Sequence, residues 1–352
     1  MKIRFYSPKS CLNPSVAYYI PFLFPFWGKK ERANISAFDA GRFDGWVESG
    51  NSYFQLVDSI EECDIVVLPY EWRKDYIMAF DLAKVANEFH KPFILFFNSD
   101  STEEIPIDNA IIFRTSAFKS KIKNNEYGLP AWYSDLGKNY LNGNFKPKNK
   151  NDVPVIGYAG YIDYRNYWEY FKYISRYVRH PSLDQTAVRL RGICVRNMSR
   201  SHLVRTNFYL RSGCHTGTAN LNERKEFVQC ILDSDYSLVC RGGGNFSYRL
   251  YEILSLGKIP VFIDTDCLLP YDQMIDWKSF CLWVDKKDIS KIDMIVSEYH
   301  SRISNQEFIR MQIRARQVYD DWLSPTGFYR NIRQCIPGLE CHTNNHGNII
   351  SI

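Results

Sequence analysis

Short, nearly unbroken apolar runs alternate with helical periods along most of this chain. In the first part, KIRFY (Lys2–Tyr6), Tyr53–Val57, Asp64–Leu68 in CDIVVLPYEWR, Pro92–Phe97 and Ile111–Phe113 read as strands. They show little polar alternation, which is the pattern of strands covered on both faces in a parallel sheet. Met78–Phe89 has the helical period, and Asn34–Gly50, with its glycines and acidic residues, reads as a loop. Asn139–Asp152, NYLNGNFKPKNKND, has almost nothing to bury and reads as a linker. From Val153 the alternation resumes. Strands are predicted at Val155–Ala159, Ala187–Leu190, Asn207–Arg211, Tyr236–Cys240, Ile259–Ile263 and Phe280–Val284. Helices are predicted at Tyr167–Val178, Asn222–Asp233, Ile289–His300 and Gln306–Trp322, with a helical turn at Ile193–His202. This order predicts two doubly wound, Rossmann-like α/β domains, at 1–145 and 153–322, joined by 146–152 and followed by a C-terminal segment, 323–352, whose polar tail after Leu339 is expected to be mobile.

One stretch organises the rest. YSLVCRGGGNFSYRLYEILSLGKIPVFIDTD, Tyr236–Asp266, is a strand, a glycine turn, a helix and a second strand. Gly242, Gly243 and Gly244 remove three side chains in a row, which permits positive φ and lets an anion approach the backbone N–H groups. Ser247 suits the N-cap, and Gly257 suits a left-handed C-terminal cap. The helix N-terminus carries partial positive charge, and Arg241 and Arg249 add two full charges beside it. Glu252, one turn after Arg249, could accept two ribose hydroxyls. The inference is a nucleotide-diphosphate site, although an ordinary strand-to-helix turn with a solvated Arg249/Glu252 pair would carry the same letters.

The string C-R-G-G-G-N-F-S-Y-R-L-Y-E-I-L-S-L-G-K-I-P-V-F-I, followed by L-P-Y-D-Q-M-I-D-W-K-S-F, resembles the exostosin family of glycosyltransferases, family 47. That family shows a P-R-G-x-G turn, an S-x-R-x-x-E helix, an A-x-G-C-I-P-V strand entry and an L-P-F…I-D-W segment in this order. Here Cys240 takes the proline place, Ser255 the alanine place and Lys258 the cysteine place. The likeness is looser across Val153–Asp285, and in the first half it rests on segment order and strings such as D-I-V-V-L-P-Y. The resemblance implies a GT-B architecture, with the active site in a cleft between two domains, the donor on the second and the acceptor mainly on the first. On the donor side it directs attention to Arg241, Gly243, Gly244, Asn245, Phe246, Ser247, Tyr248, Arg249 and Glu252.

The turn G-Y-I-D-Y-R after Val155–Ala159 is the second place to look. Gly160 lets the chain pass close to a donor, and Arg165 could neutralise the diphosphate as it leaves, although it would serve equally as a helix cap. Transfer with inversion needs a base for the acceptor hydroxyl. Glu71, just past the Leu68 strand end, and Asp100, just past Phe97, are the preferred candidates, ahead of Asp39 and Asp44. Two D-x-D strings, Asp233/Asp235 and Asp264/Asp266, invite a metal reading, but a chain with arginines and a helix terminus for the phosphates has no need of one. No metal and no cofactor are therefore expected. His202 and His215 show no paired spacing.

Composition narrows the class without choosing within it. A hydrophobic content of 45% suffices for two ordinary cores in 352 residues. A net charge of +5, with no arginine-rich tract, does not indicate nucleic acid, and is compatible with anionic donors and peripheral contact with anionic lipid. Val16–Trp27, VAYYIPFLFPFW, is too short to span a bilayer, is broken by Pro21 and Pro25, and lacks the marks of a secretory signal, so it reads as a loop with an aromatic face. Ten cysteines without C-x-x-C pairs point to reduced, mostly buried thiols. The expectation is a cytoplasmic, metal-independent, inverting glycosyltransferase that uses a nucleotide-diphosphate sugar, UDP favoured over GDP, and a glycan or glycolipid acceptor. The alternative is a non-catalytic nucleotide-sugar-binding subunit of a glycan synthase complex.

Overall fold

The computed structural model describes residues 2–12, 18–30, 41–162, 186–211 and 221–339. Its strands form two wholly parallel sheets. The first holds β1 (Ile3–Tyr6), β2 (Phe54–Val57), β3 (Ile65–Val67), β4 (Phe93–Phe97), β5 (Ala110–Arg114) and β6 (Glu126–Gly128) in the order β2-β1-β3-β4-β5-β6. The second holds β7 (Val155–Tyr161), β8 (Arg205–Arg211), β9 (Tyr236–Val239), β10 (Ile259–Asp264) and β11 (Leu282–Asp285) in the order β11-β10-β9-β7-β8. Each sheet therefore reverses direction once, between β1 and β3 and between β7 and β9. Such a reversal leaves a crevice at the carboxyl ends of the flanking strands, where ligands bind. The two α/β units of the expected GT-B fold are both present.

The apolar runs became strands because both sheet faces are covered. β4 and β5 are buried along their whole length, with Ile94 and Phe96 facing one core and Phe93, Leu95 and Phe97 the other. The core between the sheets is continuous. Ile94, Phe96 and Phe113 of the first sheet share it with Val239 and Phe262 of the second and with the helix Tyr248–Ser255. The last helices close it: Asn305–Val318 starts against Tyr236 through Phe308, and Pro325–Asn331 reaches back to the first sheet. There Tyr329 donates its hydroxyl to Phe22 O at 2.8 Å, and the Trp132 indole N–H donates to Leu323 O at 2.7 Å. Of the cysteines, eight lie among the described residues, all as free thiols and all but Cys267 buried.

Three sequence expectations are corrected. Ala187–Leu190 is not a strand but the start of the helix Thr186–Arg200. Ala187, Leu190, Cys194 and Met198 recur at helical spacing and are all buried, so the longer period outweighs the short apolar run. Asn34–Gly50 is not a loop throughout, because Asp44–Tyr53 is a helix. Gly50 serves packing there: a Cβ on it would lie 2.3 Å from Pro25 Cγ. The aromatic run before it is buried rather than displayed. Phe22 packs edge-on to Phe5 and Phe54 at 5.5 and 5.0 Å and stacks on Phe96 at 5.5 Å, so these rings cap the sheet. Residues 31–40, 163–185, 212–220 and 340–352 lie outside the described residues, and with them the expectations for Asp39, Arg165, His215, the helix Tyr167–Val178 and the polar tail.

The segment between the sheets is tied down by hydrogen bonds. Asn151 donates to both Asp235 carboxylate oxygens at 2.9 Å, and Lys150 Nζ donates to His300 O and Ile303 O at 2.7 and 2.6 Å. The buried His300 ring donates from Nε2 to Asn151 O at 2.7 Å and accepts the Tyr236 hydroxyl at Nδ1, at 3.0 Å. A ring so placed is neutral, and its burial pulls its pKa below the usual 6.5.

Candidate functional site

At the second reversal point, β9 runs out at Val239 and the glycine turn follows. None of Gly242, Gly243 and Gly244 takes a positive φ, so the expected left-handed turn is absent. Close approach explains them instead. A Cβ on Gly243 would come 2.6 Å from Asp100 Oδ2, and one on Gly244 would come 2.8 Å from Asp100 Cα. The turn lies directly against the loop after β4 of the first sheet. Gly257, by contrast, has the left-handed φ of +61° expected of it.

Asn245 fixes this contact. Its amide donates to Ala117 O at 2.9 Å and to Thr265 O at 3.2 Å, its Oδ1 accepts the Thr265 hydroxyl at 2.7 Å, and its backbone N–H donates to Ser116 Oγ at 2.9 Å. The side chain expected to touch a donor is spent joining the two sheets. Arg241 braces the turn in the same way, donating to Gly243 O and Gly244 O at 3.1 and 3.3 Å. Ser247 is the N-cap of Tyr248–Ser255, as expected, but its hydroxyl makes no capping bond.

Three arginines and four aromatic rings then interleave at the carboxyl ends of β7 and β9. Arg249 Nη2 donates to Ala159 O at 2.6 Å, and its guanidinium lies 4.3 Å from the Tyr158 ring centre. Gly160 makes room for it, since a Cβ there would meet Arg249 Nη2 at 2.7 Å. Arg249 Nε is buried and has no hydrogen-bond partner among the described residues. Arg224, from the helix Leu221–Asp233, pairs with Glu252 at 2.6 Å and lies 4.8 Å from the Tyr133 ring and 5.1 Å from Phe227. Both members of that pair are only 6% exposed. Glu252 is thus first the counterion of Arg224. Arg42 reaches over from the first sheet, donating to the Tyr248 hydroxyl and to Trp132 O, both at 3.0 Å. Phe246 packs edge-on to Tyr248 at 5.3 Å.

Glu71 and Asp100 have different surroundings: Glu71 lines a cavity and Asp100 lies against the glycine turn. Glu71, beyond β3, lines a small cavity at the carboxyl end of the first sheet that is partly open to solvent. Arg42 and Asn98 line it too, among walls that include Trp46, Phe96 and Trp132. Asp100 is exposed beside the glycine turn and accepts the Ser116 hydroxyl through its backbone carbonyl at 3.0 Å. Asp44 lies at the helix start and pairs with Lys29 at 2.6 Å, away from the cavity wall.

The acidic D-x-D strings have other occupations. Asp235 holds Asn151 and the Val155 N–H, and Asp233 accepts Gln229 Nε2 at 2.7 Å. Asp264 accepts the Trp283 indole N–H at 3.2 Å, while Asp266 accepts the Ser120 backbone N–H at 3.1 Å and its hydroxyl, a further tie between the sheets. Among the described residues no cluster of three His, Cys, Asp or Glu side chains forms a cation site. No helix among them is long and apolar enough to cross a membrane.

Sequence reasoning missed Arg42, Arg224, Tyr133 and Tyr158. Arg224 sits in N-E-R-K-E, a string typical of any solvated helix, and only the packing of Tyr133 and Phe227 singles it out. Tyr158 was within reach, because it is two residues before Gly160 on a strand already marked.

Residues 185–299 match the Exostosin GT47 domain model. The Exostosin-1 homolog of Caenorhabditis elegans is 31% identical over 102 residues, which cover 29% of this chain and 25% of that protein. Exostosin-1 of Drosophila melanogaster is 32% identical over 74 residues, or 21% of this chain and 10% of that one. The chain therefore spans a quarter or less of the length of these curated relatives. A probable glucuronosyltransferase of Oryza sativa subsp. japonica is 38% identical over 56 residues, 16% of this chain and 13% of that protein. Among solved structures, that of TarM superposes over 69% of this chain and 54% of its own with a TM-score of 0.33 and 13% identity, too remote to bear on function. The matched segment carries the arginines, glycines and carboxylate of the second reversal point, so over about a third of its length the chain is similar to the exostosin GT47 domain.

Proposed function

We propose that this protein transfers a sugar, with inversion and without a metal, from a nucleotide-diphosphate sugar to an acceptor hydroxyl, and that UDP carries the donor. The observation that carries the reading is Arg249. Its charge is held at the second reversal point by Ala159 O and the Tyr158 ring, while its buried Nε has no partner among the described residues. Arg249 as a whole is only partly buried, and a phosphate oxygen that met its guanidinium would make a charge-assisted hydrogen bond. The pre-set charge of Arg249 would then stabilise the diphosphate as its bond to the sugar breaks. Arg224, locked by Glu252 and flanked by Tyr133 and Phe227, supplies a second fixed cation nearby. Glu252 in this reading serves the donor by orienting Arg224, and a direct bond to the ribose would use whatever accepting capacity that pairing leaves.

The base is Glu71. It lines the cavity on the first sheet, and that cavity shares Arg42 with the Tyr248 end of the donor helix. Asp100 is the second candidate, but its carboxylate lies against the glycine turn, where it would position the turn. The acceptor is a glycan or glycolipid hydroxyl presented on the first-sheet side.

Calorimetry with UDP, GDP, CMP and ADP, each with and without EDTA, tests the donor assignment on the wild type and on Arg249→Ala. UDP should bind with EDTA present, and Arg249→Ala should weaken it by more than tenfold, the size of one charge-assisted hydrogen bond to phosphate. Hydrolysis of a UDP-sugar should fall in Glu71→Gln while UDP affinity holds. Absence of any nucleotide binding, or binding indifferent to Arg249, would sink the proposal. Binding with no turnover on any sugar acceptor would leave a non-catalytic binding subunit.

A further inference from the structure

The helix Tyr248–Ser255 is only eight residues long, and its N-cap Ser247 makes no side-chain capping bond. So short a helix is marginal on its own, and its first turn needs partners from elsewhere. The first-sheet side supplies them. At the far end the Leu136 N–H donates to Ser255 Oγ at 3.2 Å. At the start Arg42 donates from Nη2 to the Tyr248 hydroxyl and from Nε to Trp132 O, both at 3.0 Å, so one guanidinium ties the first residue of the helix to the first-sheet side. The same guanidinium lies 4.9 Å from the Tyr248 ring centre and 5.5 Å from that of Tyr133. Tyr133 in turn packs edge-on to Tyr248 at 6.0 Å and carries the Arg224 guanidinium at 4.8 Å. Arg42 therefore holds the residue next to Arg249 in the chain and the ring against which Arg224 lies.

We infer that Arg42 is a positioning residue of the donor site: it sets Arg249 through Tyr248 and Arg224 through Tyr133, so that the first sheet fixes where the two donor cations point. The inference rests on the reading of that site as one for a nucleotide diphosphate. Position, not charge, is what Arg42 supplies. Its Nε–H and Nη2–H form a rigid planar fork that meets Trp132 O and the Tyr248 hydroxyl together, whereas a lysine ammonium is a point charge on a flexible stem. Tyr133 is 8% exposed, so packing holds its ring and the ring passes the placement on to Arg224.

Calorimetry with UDP on the full chain, at a temperature where urea melts show each variant folded, tests this. Arg42→Met should weaken UDP about tenfold, the size of one hydrogen bond to a charged group. Arg42→Lys should do no better than Arg42→Met, since it keeps the charge and loses the fork. Tyr248→Phe, which removes only the accepting oxygen, should reproduce part of that loss, and the double variant Arg42→Met/Tyr248→Phe should bind no more weakly than Arg42→Met, because both changes cut one link. A contact that serves only the fold would lower the urea midpoint and leave UDP affinity unchanged. That outcome, or wild-type affinity in Arg42→Lys, would overturn the inference. Should Arg42→Met fail to fold, Tyr248→Phe decides alone, and unchanged affinity in it has the same force. UDP binding indifferent to Arg42 removes this inference and leaves the donor reading, whereas no UDP binding by the wild type removes both.

Discussion

Replacing Glu252 by glutamine asks whether this carboxylate is first a structural counterion. Its Oε1 meets Arg224 Nη1 at 2.6 Å, and each side chain is 6% exposed, so the pair is nearly dry. Glu252→Gln keeps the shape and removes the charge, leaving the Arg224 guanidinium buried between Tyr133 and Phe227 with a neutral neighbour. Breaking one side of such a pair costs roughly 3–5 kcal/mol, whereas replacing both partners with neutral groups of similar volume is often close to neutral. Urea denaturation should therefore show a loss of about 3–5 kcal/mol for Glu252→Gln, most of it recovered in Glu252→Gln/Arg224→Met. UDP affinity, measured at a urea-free temperature where both variants are folded, should fall in the double variant as well, since it lacks the second cation. If Glu252→Gln keeps wild-type stability and loses only nucleotide affinity, the carboxylate acts on the ribose directly, and the counterion argument is refuted.

Two further outcomes follow from the geometry. Gly244→Ala should destabilise the protein by about 1–3 kcal/mol, because its Cβ meets Asp100 Cα and the Phe246 ring. Gly243→Ala should cost less, since the exposed Asp100 carboxylate it meets can swing away, and thermal melts of the two variants would show whether the order holds. His300 is held neutral, with its pKa below 6.5 because of burial. As pH falls below about 6.5 the unfolded chain takes up a proton the folded ring resists, so stability drops until pH passes below the folded pKa. Melting temperature against pH should show that decline over the acid side of 6.5 and lose it in His300→Gln; an unchanged profile in the variant would refute the assignment.

Much of the fold was legible in the letters. Runs such as FILFF and YSLV are too apolar to face water on either side, so parallel strands buried on both faces follow from composition alone, and the order of runs and helices is that of the two parallel sheets. Where local pattern failed, a longer-range constraint prevailed. Ala187–Leu190 looks like a strand only until Cys194 and Met198 extend its period, and Gly50 looks like a turn only until Pro25 is placed against it. The strand–turn–helix motif was legible because its residues are contiguous: a turn that must lack side chains, a helix start and an arginine within one turn of a carboxylate.

What the sequence by itself determined, then, is the pair of parallel sheets and the location of the Arg241–Glu252 motif, because strand burial and a strand–turn–helix junction are properties of neighbours in the chain. Tertiary structure alone decided what that motif's side chains do. Asn245 became a bond to Ala117, the glycines a seat for Asp100, and Glu252 the counterion of Arg224, because each of those partners lies far away along the chain. It also decided that Arg42 and Trp46 line the cavity of the first sheet. A side chain's partner across a sheet junction is fixed by packing, and no local spacing encodes it.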